Sequence, residues 1–267
     1  MNNLLLGLGH TLSTNPDAYP LPPYLASIAD GDRGDDGGRI ALVALRTPPF
    51  QLALSTCAPC FDVRHVVDAL VADLGGASPS LPGVAGPKAV VDAFLPRWEA
   101  ASGQEAELAV AERIYELTQV SLPPEVPGRM RMAGAGDRDL LVAWLGAFAR
   151  EATPEAPDTP AEAVDRRLAT PGSAFYLWEV AEPVSLVGHT GPTPTGMRIG
   201  PVYTPPVFRG RGYAAALVAT VSQQLLDAGR QRCFLYTDLA NPTSNALYQR
   251  IGYRPVGDVD QYRFRST

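Results

Sequence analysis

The sequence predicts an α/β protein, of the α+β kind, in which mixed, largely antiparallel sheets are flanked by helices in two domains. Three observations carry this. From residue 129 onward, short apolar or alternating runs separated by Gly and Pro give way at Gly212 to apolar positions at helical spacing. The first half of the chain shows the same order of strands, helix, strand and helix more loosely, which suggests a duplicated unit. Between the halves stands Ser121-Leu-Pro-Pro-Glu-Val-Pro-Gly128, where three prolines within five residues forbid a continuing helix and favour an extended connector. The domains are accordingly expected at residues 1–124 and 125–267.

In the first half, Pro23 to Ala29, Arg39 to Leu45 and Gln51 to Ser55 read as strands, Val63 to Leu74 as a helix, Val84 as a short strand and Lys88 to Ala101 as a helix. Ala109 to Leu117 reads as a final helix or strand. After the connector, Arg129 to Ala133 is a short strand, and Asp137 is placed to cap a helix carrying Leu140, Leu141, Trp144, Leu145 and Phe148. A second helix spans about Pro160 to Leu168. Phe175 to Val180, Ser185 to His189 and Arg198 to Thr204 read as antiparallel strands.

From Gly212, residues Ala214, Leu217, Val218, Val221 and Leu225 recur at helical spacing, and Gly229 stands where a left-handed residue ends a helix. Cys233 to Thr237 is a strand. Asn241 then caps a helix with Pro242 at its first position and Gly252 at its end. Tyr253 to Val256 and Gln261 to Phe264 read as two closing strands.

Bulk properties narrow the function classes. A 46% hydrophobic content is enough for a packed core. The net charge of −6 comes from interspersed residues, without the basic block that nucleic acid would attract. Lys88 and Arg97 read as isolated charges on solvated faces. Leu4 to Leu8 is too short an apolar run to span a membrane, and three cysteines give no disulfide framework, so a cytoplasmic enzyme without a membrane partner is expected. Cys57-Ala-Pro-Cys60 has metal or redox spacing but no second Cys pair or His cluster to complete four zinc ligands, and no metal is expected.

The chemistry concentrates in Val202-Tyr-Thr-Pro-Pro-Val-Phe-Arg-Gly-Arg-Gly-Tyr-Ala214, a strand joined to a helix through a glycine-rich turn. Glycines allow close backbone approach, and a helix start offers unpaired N–H groups and a positive dipole end, so an anion such as a pyrophosphate is expected there. Arg209 and Arg211 add positive charge.

Arg209-x-x-Gly212-x-Ala214 resembles the Arg/Gln-x-x-Gly-x-Gly/Ala motif of the GNAT superfamily of N-acetyltransferases. Asn241-Pro-Thr-Ser-Asn-Ala-Leu-Tyr248-Gln-Arg-Ile-Gly252-Tyr253 resembles that superfamily's second signature, with Gly-Tyr where Gly-Phe is usual. The match covers about residues 129 to 264. The first half, whose counterpart loop at Cys57 to Val63 has no glycine, resembles the degenerate N-terminal repeat of tandem members.

The resemblance implies a GNAT-like sheet in each half, acetyl-CoA as co-substrate, and transfer of its acyl group to a primary amine of a small molecule or peptide. It further implies that Arg209, Gly210, Arg211, Gly212, Tyr213 and Ala214 cradle the phosphates. Backbone groups of Val202, Tyr203 and Thr204 would pair with the pantetheine arm, Asn241 would bind that arm or fix the helix entry, and Tyr248 would protonate the departing thiolate. A core role for Tyr248 and a pure cap for Asn241 remain open. Many relatives carry a Glu base on one of the two splayed strands, whereas Met197 to Thr204 and Cys233 to Thr237 contain no carboxylate. Asp238 and His189 are weak candidates, and the base stays unassigned, with a water relay as the alternative.

Two other readings fit parts of the pattern. Gly210-Arg-Gly212-Tyr-Ala-Ala215 imitates a dinucleotide fingerprint, but Pro205 to Arg209 separate it from its strand and too little chain follows. The missing base also suits a non-catalytic acyl-CoA sensor. A homodimer is left open, as is the identity of the amine.

Overall fold

The structure, a computed structural model, describes residues 24–29, 39–77, 80–152, 159–191 and 193–266. The apolar run Leu4 to Leu8 and Pro23 lie outside the described residues. Contacts divide the chain into two compact units, one of Met1–Arg113 with Gly257–Thr267 and one of Ile114–Val256. The division falls within strands rather than at the proline connector.

In the first unit β1 (Tyr24–Ala29), β2 (Ile40–Arg46), β3 (Leu52–Leu54), β4 (Gly83–Pro87), β5 (Gln104–Leu117, through Arg113) and β11 (Arg254–Ser266, from Gly257) are ordered β1-β2-β3-β4-β11-β5. Helices α1 (Val63–Ala77) and α2 (Lys88–Ser102) complete it. Leu70, Val84, Phe94, Trp98 and Phe264 are buried in one cluster. Buried Gln104 accepts from the Leu81 N–H and the Trp98 Nε1–H and returns a bond to the Leu81 carbonyl, so its amide is satisfied.

In the second unit the order is β5-β10-β9-β8-β7-β6, with β6 (Arg129–Met132), β7 (Ala174–Glu179), β8 (Pro183–Thr190), β9 (Gly196–Tyr203) and β10 (Arg232–Asp238). Strands β6 to β9 pair antiparallel in succession, and β9 pairs parallel with β10. Its helices are α3 (Arg138–Ala152), α4 (Pro160–Ala169), α5 (Tyr213–Asp227) and α6 (Pro242–Arg250). Strand β7 shows why the central runs read as continuously apolar: Phe175 and Leu177 are buried with α3 and α4 residues Leu141, Leu145 and Val164, while Tyr176 and Trp178 are buried with α5 residues Leu217 and Val221. Both faces are covered.

Several expectations change. Ala109 to Leu117 is a strand and begins at Gln104. The two closing runs are one strand, because Asp258 and Asp260 between them are paired: Asp258 takes a bidentate bond from Arg113 at 2.7 and 2.9 Å, and Asp260 an ion pair from Lys88 at 3.3 Å. Lys88 and Arg97 are thus not isolated charges, and Arg97 pairs with Asp68. Asp137 does not cap α3 in the expected way. It ends a 3-10 turn, and its carboxylate accepts from the Gly134 N–H and from both terminal nitrogens of Arg131.

The connector belongs to the second unit, where the Ser121 N–H donates to the Ile251 carbonyl and the Trp178 Nε1–H to the Pro127 carbonyl, each at 2.9 Å. Tyr115 and Leu117, upstream of it, are fully buried in the same unit's core. A cut in the connector would remove both. Among the described residues no helix is long and apolar enough to cross a membrane.

Candidate active site

Strands β9 and β10 pair only from Gly196–Arg198 against Arg232–Phe234, yet β9 continues to Tyr203 and β10 to Asp238. Beyond Arg198 the two part. On the opposite edge of β9 the register with β8 slips: Val187 faces Val202 and His189 faces Ile199, so β9 carries an extra residue there. A bulge bends its strand, and this one lies just past the parting point. Val202, Tyr203 and Thr204 follow it. The carbonyls of Tyr203 and Thr204 already accept, from Ser185 Oγ at 3.3 Å and Arg209 Nε at 2.8 Å, so Thr204 in particular is tied to the following loop rather than left open.

The loop turns through Pro206–Phe208 and reaches α5 by two left-handed glycines, Gly210 at φ 75° and Gly212 at φ 83°. The first bond into the helix runs from the Ala216 N–H to the Gly212 carbonyl, so the N–H groups of Tyr213, Ala214 and Ala215 precede the helical ladder. The Tyr213 side chain itself is buried in the core. A Cβ on Gly212 would stand 3.0 Å from Val126 Cγ1, so the connector packs against the loop at the residue assigned to phosphate contact alone.

The two loop arginines differ. Arg209 donates to both oxygens of Glu151 on α3, at 2.9 and 2.7 Å, which answers its charge and makes it a brace for the loop. Arg211 is exposed, donating to the Val207 carbonyl at 3.2 Å. Glu151 was not legible in the sequence, since nothing in its local pattern names a partner 58 residues away.

Tyr248 lies in the core of the second unit at 7% exposure, with its ring 6.4 Å from that of Tyr115 and 5.9 Å from that of Tyr253. Its hydroxyl has no hydrogen-bond partner among the described residues, and burial raises the phenol above its ordinary range, so it keeps its proton. Asn241 caps α6: its Oδ1 accepts from the Ser244 N–H at 3.0 Å. Beside it Asn245, which sequence reasoning passed over, donates to the Asp238 and Asn241 carbonyls and accepts from the Tyr115 hydroxyl. These bonds fasten the end of β10 to α6, the helix of Tyr248.

The two candidate bases stand in different surroundings. The Asp238 carboxylate accepts from the Ala240 N–H in a tight turn. His189 is buried against Tyr176, whose hydroxyl is 3.5 Å from Nε2. Burial, and then the charge of Arg167, hold its pKa below the ordinary value of 6.5, so it is neutral in the folded state at pH 7. The unfolded chain takes up that proton from about pH 6.5 downward, so stability is lost as pH falls through this range. The melting-temperature difference between wild type and His189→Gln should therefore narrow from pH 7 to pH 5; a constant difference would show that His189 does not contribute. Burial pushes the Cys233 thiol up to about 12, which disfavours a thiolate nucleophile in β10.

Comparison with known proteins agrees with this geometry. Residues 178–264 match the family model described as FR47-like protein, and no curated protein matches the chain. Among solved structures, a GCN5-related N-acetyltransferase from Kribbella flavida is similar at 15% identity, with 97% of this chain and 95% of that chain covered and a TM-score of 0.62. One from Sphaerobacter thermophilus has 19% identity, 96% and 84% coverage and a TM-score of 0.63. A Drosophila protein has 11% identity, 99% and 88% coverage and a TM-score of 0.64. The chain thus has the GNAT fold, and its residues 178–264 match the FR47-like family model.

Proposed function

We propose that this protein is an N-acyltransferase that uses acetyl-CoA and a primary amine, with the site in the second unit and the first unit a degenerate repeat that binds no coenzyme. The observation that carries the reading is the parting of β9 and β10 beyond Arg198 and Phe234, beside a left-handed glycine loop that opens α5. The residues fit the co-substrate: unpaired helix-start N–H groups at Tyr213, Ala214 and Ala215 suit a pyrophosphate, and the bent edge of β9 suits an extended arm lying along it. The coenzyme supplies the acyl group as a thioester.

Around that thioester the chain's own groups have separate tasks. The Arg209–Glu151 pair holds the loop, Gly210 and Gly212 turn it, and Arg211 adds a solvent-exposed charge. Tyr248 holds a proton on its phenolic oxygen for the leaving sulfur. As the amine nitrogen bonds to the carbonyl carbon and the carbon–sulfur bond breaks, sulfur departs as the thiol, the nitrogen's proton passes to water, and the phenol is reprotonated from solvent. All three cysteines are free, which supports a reducing, cytoplasmic setting.

A sensor that binds acyl-CoA without turnover is the second reading, favoured by one observation: the only carboxylate on β9 or β10 is Asp238, and it closes a turn. A thiol-release assay with acetyl-CoA and a panel of polyamines, amino acids, aminoglycosides and peptides separates them. Release with at least one amine is the expected result. Coenzyme binding without release from any would establish the sensor, and absence of binding would overturn both.

A further inference from the structure

The face of the second unit covered by α3 and α4 carries two arginines whose charge no carboxylate among the described residues answers. Arg167, in the last turn of α4, lies with its Cζ 4.9 Å from the centre of the Phe175 ring and donates from Nη1 to the Gly200 carbonyl at 2.5 Å. Gly188 of β8 makes room for it, since a Cβ there would stand 2.2 Å from Nη1. Arg198 alternates on β9 with Met197 and Ile199, which are buried on the α5 side, so it emerges on the same face as Arg167. There its Cζ is 4.8 Å from the centre of the Tyr236 ring.

The two guanidinium groups feel each other. Burial first, then the charges of Arg198 and Arg166, lower Arg167 to about 10. Among the described residues neither Arg167 nor Arg198 has a carboxylate partner, although the half-buried Arg97, Arg113, Arg131 and Arg232 each have one. The C-terminal end of α4 offers some negative charge to Arg167, but Arg198 lies on a strand and gains nothing from it. Like charges held together without a counterion destabilise the free protein and are answered when an anion binds.

Position gives this pair its meaning. Arg198 is the last residue of β9 paired with β10, and Gly200, which Arg167 holds, lies in the bulge immediately beyond. We propose that Arg167 and Arg198 form an anion subsite for the acceptor, whose amine therefore belongs to a molecule carrying a carboxylate or a phosphate. The inference rests on the acyl-transfer reading and deepens it. Guanidinium groups bind either oxyanion through paired N–H donors, and the rings of Phe175 and Tyr236 hold the planar groups in place. The amine at the other end of the acceptor then reaches the gap between β9 and β10.

Matched acceptors test this. Thiol release from acetyl-CoA is measured with amino acids against their amides, and with phosphoethanolamine against ethanolamine, for wild type, Arg198→Gln and Arg198→Lys. The anionic member of one pair type should be preferred in kcat/KM by about tenfold or more, as a charged hydrogen-bonding partner warrants; which type identifies the oxyanion. Arg198→Gln should abolish the preference and Arg198→Lys restore part of it. Equal use of acid and amide, or a preference that survives in Arg198→Gln, overturns the subsite. Absence of release with every amine would instead sink the acyl-transfer reading, and ligand-observed NMR with N-acetyl amino acids and their amides then decides the subsite alone. Binding of the acids to wild type but not to Arg198→Gln supports it; equal binding, or none, overturns it.

Discussion

Gly212→Val should raise the dissociation constant for coenzyme A by about tenfold or more, at least about 1.4 kcal/mol. Two features of the residue act together. Its φ of 83° is a conformation that a β-branched side chain adopts only under strain, and its N–H neighbours at the start of α5 must face a phosphate without a side chain between. A third feature complicates a simple reading, because any Cβ meets Val126 Cγ1 at 3.0 Å. The double variant Gly212→Ala with Val126→Ala removes that contact while leaving a methyl on the loop. If the glycine serves only the packing of the connector, the double variant binds coenzyme A normally. If it serves the phosphate, affinity stays weak in a protein whose circular dichroism is native. Unchanged titration of coenzyme A into folded Gly212→Val would remove the loop from the site.

Tyr248→Phe should lower kcat by about a hundredfold, the low end for general acid catalysis because a thiolate leaves readily, while the coenzyme dissociation constant stays nearly constant. The structure sharpens the contrast with a purely structural tyrosine. Its hydroxyl makes no hydrogen bond to the described residues, so removing it should leave the melting temperature close to wild type. A large fall in turnover beside a small change in stability is then attributable to the proton. Burial raises the phenol pKa. The acid form therefore persists through the whole neutral range, and the pH–rate profile should show no alkaline decline from this residue below about pH 10, the ordinary phenol value. Wild-type turnover in Tyr248→Phe would dismiss the residue from the mechanism.

What could be read in advance was what neighbouring residues dictate to one another. Gly212 and Gly229 bracket α5, and Asn241 with Pro242 begins α6, because caps and turns depend on a few adjacent positions. The double-faced burial of β7 was visible as a continuous apolar run. What escaped depends on partners far along the chain. Nothing near Asp258 and Asp260 signals that Arg113 and Lys88 will let acidic residues continue a strand. Glu151 and Arg209 are anonymous charges until α3 and the loop are brought together. Arg167 and Arg198 escaped for a further reason: α4 and β9 bring the two charges together on one face with no acidic partner among the described residues, which only a structure reveals.

The strand order of the first unit has a consequence for the order in which the protein can be made. There β11 lies between β4 and β5, and its Val259–Arg263 stretch pairs with Gly83–Pro87. Yet these residues are translated only after the entire second unit, Ile114–Val256, has been synthesised. Domains usually complete themselves from the N-terminus as they emerge. Here the earlier-made unit must hold apart two strand edges, on β4 and β5, until the intervening strand arrives, so the later-made unit has its full complement of residues first. A ribosome stalled after Val256 would carry one finished unit and one with a missing strand, and the unfinished one would be the first in the sequence.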